Sequence, residues 1–404
     1  MLMMGAQSAW ASSMPIHQNS AMCPSGLGNT PQHRVLFGMT GAGKLIIIAD
    51  LLAQIGHRFG FRLIVEERLS HAVLTQTQGC ESVIVNPNGN LTINYLDTCE
   101  APLSPMHLAF SAGLCMLFCG NEGLDGERKA IRHAMIVENL QQLYTDIFND
   151  WIVANEEAAE ELRWRAAAID RYLKRLRRSQ LNFVDAFAAF RDWERQNPDE
   201  ASNFLEELSE EAVAEFAKNP STTKFVRDLA FAYFRPEQFP SHSALIEQLL
   251  FNPGGSARER EESDRVGKLL RGWSRDGEKG RLFDGVSNIR IDGRVAHFEL
   301  GQIPEHATEM RAAANFLVAN YGRQKIITMP RSVPKIAIFE EAARTLEIPG
   351  GVRMIQEYYR QMRKFGCNIL AVVQQYDVLK TSEVRGAMIG NSKIFLKLKA
   401  ARAA

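Results

Sequence analysis

The chain has 404 residues, 46% of them hydrophobic, and its 47 Lys plus Arg balance 47 Asp plus Glu to a net charge of zero. This is the make-up of an ordinary globular protein with enough chain for one large or two ordinary domains. It excludes a protein that coats a polyanion with its whole surface, so any nucleic-acid contact would have to come from a local patch. Six scattered cysteines exclude a disulfide scaffold and suit a reducing, cytosolic compartment.

Residues 1–33 mix Ser, Asn, Gly, Pro and Gln without periodicity and read as a loose leader. The opening MLMMGAQSAWASSMP has neither a basic n-region nor a sustained apolar run, so no signal peptide is expected. No apolar stretch nears the ~20 residues of a membrane span. The first sharp pattern is Arg34-Val-Leu-Phe37, a short β-type run, followed by Gly38-Met39-Thr40-Gly41-Ala42-Gly43-Lys44 and an apolar segment at helical spacing from Leu45 to Ile55. That is strand, glycine loop, helix.

The loop has the spacing Gly-x-x-x-x-Gly-Lys, the Walker A pattern of phosphate-binding loops. Its glycines let consecutive backbone N–H groups converge on one phosphate, the helix N-terminus adds positive potential, and Lys44 would reach the β and γ phosphates. The plainer reading, an ordinary glycine-rich βα turn, is disfavoured by the flanking strand and helix. The pattern departs at Leu45, where a Ser or Thr hydroxyl would serve Mg²⁺.

Buried strands are expected at Arg62–Val65 and Ser82–Val85. Cys115 and Cys119, the one close pair of cysteines, lie in an apolar run without a histidine and read as buried thiols. From about Glu127 to 280 the composition turns to long charged stretches of helical periodicity, as in NEEAAEELRWRAAAIDRYLKRLRR, which predict an all-helical subdomain. Its basic run Arg171, Lys174, Arg175, Arg177, Arg178 is the one candidate nucleic-acid patch, and a solvated helix face explains it more simply.

Strand signals return at Val295–Leu300, Lys335–Phe339, Asn368–Val373 and Lys393–Lys397, separated by helical segments such as Thr308–Tyr321 and Val352–Phe365. Continuous apolar strands alternating with helices predict a parallel sheet covered on both faces. The expected organisation is a nucleotide-binding α/β domain from 34–126 and 281–404, interrupted by a helical insertion at 127–280.

Two strand ends carry candidate chemistry. Ile336-Ala-Ile-Phe339 runs into Glu340-Glu341, the Walker B arrangement: the first carboxylate would hold Mg²⁺ and the second would polarise an attacking water. Glu340 stands where Asp is usual and is longer by one C–C bond; two acids that merely solvate a strand end are the alternative. Asn368–Val373 ends in Gln374, placed to sense the γ phosphate if it is not a plain exposed amide. Arg360, Arg363 and Lys364 cluster upstream of that strand, either as a solvated helix face or as cations reaching a neighbouring subunit's site, a role for which Arg385 is a second candidate.

Taken in order, QHRVLFGMTGAGK, LTINYLD, GRLFDGVSNIRIDGRVAHFEL, KIAIFEEAARTL and RQMRKFGCNILAVVQQYDVLKTSEVRGAMIGNSKIFLKLKA resemble the conjugal-transfer and type IV secretion ATPases, the VirB-type branch of the HerA/FtsK group of RecA-like motors, over about residues 33–400. The resemblance implies a RecA-like P-loop core with a mostly parallel sheet and an all-helical subdomain, binding ATP and Mg²⁺. It implies an oligomer, a hexamer in the family, at the cytoplasmic face of a secretion channel, driving pilus assembly or the passage of DNA or protein. By position, Lys44 and the loop Gly38–Leu45 would bind phosphate, Glu340 the metal, Glu341 would be the catalytic carboxylate, Gln374 the sensor and Arg363 a finger acting in trans. Leu45 and Glu340 depart from the pattern, and the large N-terminal domain of full-length members is expected to be missing because the loop begins near residue 38. A hydrolysis-impaired scaffold and a DNA-translocating coupling protein stand as alternatives.

Overall fold

A computed structural model describes residues 33–398 except 40, 121–122, 177–182, 220, 252–254, 278, 290, 292, 341, 343–350 and 375–381, together with the side chains of 351, 353, 382–385 and 387. The chain divides into two compact units, one of residues 1–84, 291–302 and 331–404, the other of 85–290 and 303–330.

The first unit holds a seven-stranded sheet: β1 (His33–Phe37), β2 (Phe61–Glu66), β3 (Ser82–Ile84), β4 (Val295–Glu299), β5 (Lys335–Phe339), β6 (Cys367–Val373) and β7 (Ser392–Lys397). The spatial order is β3-β4-β2-β5-β6-β1-β7, and every neighbouring pair is parallel. The strands answer to the apolar runs in the sequence because both faces of the inner strands are covered, so no polar alternation is needed. Every residue of β2, β4, β5 and β6 is buried, whereas β7, at an edge, alternates.

Helix α1 (Lys44–Ile55) follows the glycine loop and turns Ile48, Leu51 and Leu52 onto the sheet, the i, i+3, i+4 face of a helix. These side chains join Leu36, Ile64, Ile336, Ile338, Leu370 and Val372 in one core. Fully burying an aliphatic side chain contributes about 1.5–3 kcal/mol, so this cluster fixes α1 and, through it, the loop. Because all strands run the same way, their carboxyl ends emerge along one edge of the sheet, where open α/β sheets bind ligands.

The second unit is helical, from Pro105–Phe118 and the 29-residue Gly126–Ala154 through Ala257–Leu270, with Thr308–Thr328 packed in the same unit. Its helix starts follow the sequence signals: Asp125 and Ser209 accept from backbone N–H groups, and Ser256 with Glu259 forms a capping box. The division between units runs after Ile84 rather than after residue 126, because the apolar helix Pro105–Phe118 is buried among helices of the second unit. A change in charge density marks where solvent-exposed helices begin, not where the contacts change. In the basic run, Arg171 pairs with Glu207, Lys174 with Asp170 and Arg175 with Glu200, which neutralises the described part of that patch; Arg177 and Arg178 lie outside the described residues.

Candidate nucleotide site

The phosphate loop leaves β1 at Gly38, whose N–H donates to Val373 O at 3.2 Å and prolongs the ladder with β6. Gly41 and Gly43 have φ of +79° and +81°, and a Cβ at either would touch nothing within 4 Å. What demands glycine there is the left-handed backbone, which costs an L-residue roughly 1–2 kcal/mol, and not a lack of room. Gly43 caps α1, and the next residue, Lys44, folds back so that Nζ donates to Gly38 O at 2.6 Å and Met39 O at 3.0 Å. Leu45 is 38% exposed and offers no oxygen.

Opposite the loop, β5 runs into Glu340, whose N–H donates to Val65 O at 3.0 Å and so ties it to β2. Its side chain, 11% exposed, takes a 2.7 Å contact from His71 Nε2. Between β5 and β1 lies β6, followed directly by the half-buried Gln374. With neighbouring strands about 4.8 Å apart, β1 and β5 stand roughly 10 Å apart at this edge. Gly41, Gly43, Lys44, Leu45, Ile46, Glu67, Arg68, Glu340, Val372 and Gln374 line a cavity of about 310 Å³.

Of the residues proposed from sequence, the structure thus brings Gly41, Gly43, Lys44, Leu45, Glu340 and Gln374 around one cavity. Glu341 and Thr40 lie outside the described residues, as does the side chain of Arg385. Arg360 lies in the helix Gly351–Gln361, while Arg363 and Lys364 lie not in that helix but in the 3₁₀ turn Met362–Phe365. That turn precedes the first residue of β6, at the amino edge of the sheet. Seven residues of strand, roughly 20 Å, separate it from the site of its own chain.

Sequence reading missed the end of β2. Glu66, Glu67, Arg68 and His71 follow an apolar run just as Glu340 follows β5, and an acid directly after a buried strand was the signal. Glu66 Oε1 accepts from His71 N–H at 2.9 Å and meets His297 Nε2 at 2.7 Å. Burial would raise the Glu66 carboxyl, but the hydrogen bonds from His297 and the His71 backbone, with the charge of the two rings, outweigh it and hold the pKa below the usual value.

A glycine loop with its lysine, an acidic strand end, and an amide on the strand between them, all at the carboxyl edge of a parallel sheet, define a RecA-like P-loop fold. The fold is shared with VirB4 of Thermoanaerobacter pseudethanolicus, at a TM-score of 0.60 and 14% identity over 92% of this chain and 78% of that one. Structures of the plasmid coupling protein TrwB also align: its complex with a non-hydrolysable ATP analogue at a TM-score of 0.46 (14% identity, 96% of this chain, 73% of that one) and its complex with ADP and Mg²⁺ at 0.43 (13% identity, 93% and 70%). No family model matches the chain, and no curated protein does.

Proposed function

We propose that this chain is an ATP-binding motor ATPase of a conjugation or type IV secretion system, energising pilus assembly or the transfer of DNA or protein. The observation that carries the nucleotide reading is the cavity bounded by Gly41, Gly43 and Lys44 on one side and by Glu340 and Gln374 on the other. The fold shared with VirB4 supports the motor class.

In this reading the loop N–H groups and Lys44 hold the phosphates, Lys44 exchanging its two carbonyl partners for phosphate oxygens. Gln374 orients the terminal phosphate or the attacking water. Glu340 would hold Mg²⁺, and the ion would supply positive charge against the phosphates. Glu341 is the proposed catalytic carboxylate, and Arg363 serves the site of an adjacent subunit, since its own site lies at the other edge of the sheet. The working form is therefore an oligomer, a hexamer by resemblance. By resemblance we propose peripheral attachment at the inner face of the cell membrane; among the described residues no helix is long and apolar enough to cross a membrane.

Leu45 favours a second reading, a subunit that binds nucleotide and turns it over slowly. Its side chain lines the cavity where a hydroxyl would complete the magnesium shell. The DNA-translocating coupling protein stays an alternative, and the described cations of the basic run, Arg171, Lys174 and Arg175, are each paired with an acid on the surface. Phosphate release from the purified chain, with Lys44→Ala as control, tests the activity. Nucleotide binding without release selects the second reading, and no binding at all removes both.

A further inference from the structure

Three neighbouring strands, in the order β4-β2-β5, carry a glutamate at the carboxyl edge: Glu299 and Glu66 as last residues and Glu340 directly after β5. Glu66 and Glu299 are register partners and both are buried. Buried carboxylates are normally matched by cations or coordinate a metal. Among the described residues, the ion-pair partners of Glu66 and Glu340 are imidazoles, His297 and His71, rather than Lys or Arg. One atom each from Glu66, His71 and Glu340 falls within a 4.8 Å group. Glu66 Oε1 is already occupied by two donors, whereas Oε2, fully buried, meets no donor.

We propose that Glu66, His71 and Glu340 form a binding site for a divalent first-row transition ion, zinc or manganese, beside the nucleotide cavity. One imidazole nitrogen and two carboxylates suit such ions, whereas Mg²⁺ prefers oxygen ligands and retained waters. The site opens to solvent through Glu340, the one partly exposed member, which lines the cavity. Ligands on a tetrahedral ion at about 2.1 Å stand roughly 3.4 Å apart, so His71 and Glu340, now at 2.7 Å, part by about 0.7 Å as the ion replaces the shared proton. His297 holds Glu66 from behind, as outer partners of metal ligands do. The site also gives this chain a metal anchor on the side of Glu340 away from Leu45. In that link alone the proposal rests on the nucleotide reading.

The test is calorimetric titration of the full chain, without nucleotide, by Zn²⁺, Mn²⁺ and Mg²⁺. One equivalent of zinc should bind, manganese more weakly, and magnesium at least about 100-fold more weakly than zinc. His71→Ala and Glu66→Gln should each weaken zinc by more than about 100-fold, His297→Gln by about tenfold, and Lys44→Ala not at all. Should the variants fail to fold, the native chain still decides: electron paramagnetic resonance of bound Mn²⁺ must show coupling to one imidazole nitrogen. Absent zinc binding, zinc binding unchanged in His71→Ala, magnesium as tight as manganese, or no nitrogen coupling would each overturn the site. Zinc binding intact in a chain that binds no nucleotide would leave this site standing and remove the nucleotide reading instead.

Discussion

Lys44 Nζ donates to Gly38 O at 2.6 Å, so the lysine lies folded across the loop it belongs to. Phosphate would take over those donors, and hydrogen bonds to charged groups are worth about 1.5–3 kcal/mol. Lys44→Ala should therefore raise the Kd for ATP roughly 10- to 100-fold, read by calorimetry. The thermal midpoint should hardly move, because the lysine head is partly exposed and packs in no core.

Gly41 and Gly43 carry positive φ, so Gly41→Ala and Gly43→Ala should each cost about 1–2 kcal/mol of stability. Urea unfolding with and without nucleotide separates this strain from loss of the phosphate cradle. A stability change near zero would mean the loop relaxes to another conformation.

Leu45→Thr adds the missing oxygen at a position already facing the cavity. Turnover should rise at least about tenfold, equivalent to about 1.4 kcal/mol of barrier, with a steeper magnesium dependence. Phosphate release across a magnesium titration is the measurement. Fast hydrolysis by the native chain, unchanged by threonine, would contradict the reading.

Arg363 stands at the sheet edge remote from its own site. A finger acting in trans is worth about 10³–10⁵ in rate, so Arg363→Ala should nearly abolish turnover while sparing affinity. Mixing Arg363→Ala with Lys44→Ala subunits should restore part of the activity. No recovery in mixed oligomers would argue against a shared site.

Buried histidines give the protein an acid-side weakness. His107 Nδ1 accepts from Gln324 Nε2 at 2.8 Å and its Nε2–H donates to Tyr144 Oη at 3.0 Å, a fully bonded neutral ring. Burial, helped by Arg323, lowers its pKa to about 3, and burial lowers that of His33 to about 4. Since both folded values lie below the ordinary 6.5, the unfolded chain binds protons first as pH falls. Stability should hence decline from about pH 6.5 down to pH 4, and denaturant midpoints at pH 7.5, 6 and 5 should fall in that order. His107→Gln should flatten the slope.

Local pattern accounts for much of this protein. Seven apolar runs became seven strands, and the glycines at 41 and 43 mark a left-handed loop wherever they occur, since the constraint lies within the residue. The strand order could not be read this way, because parallel pairing joins segments far apart in the chain. His71 and Glu340 are 269 positions apart and meet only because β2 and β5 are neighbours. The same adjacency turns Glu66 from a strand end into a buried ligand candidate, while the seven residues of β6 separate Arg363 from the cavity at the other edge of the sheet. Backbone conformation and hydrophobic periodicity are properties of short segments. Which carboxylate faces which imidazole is a property of the assembled sheet.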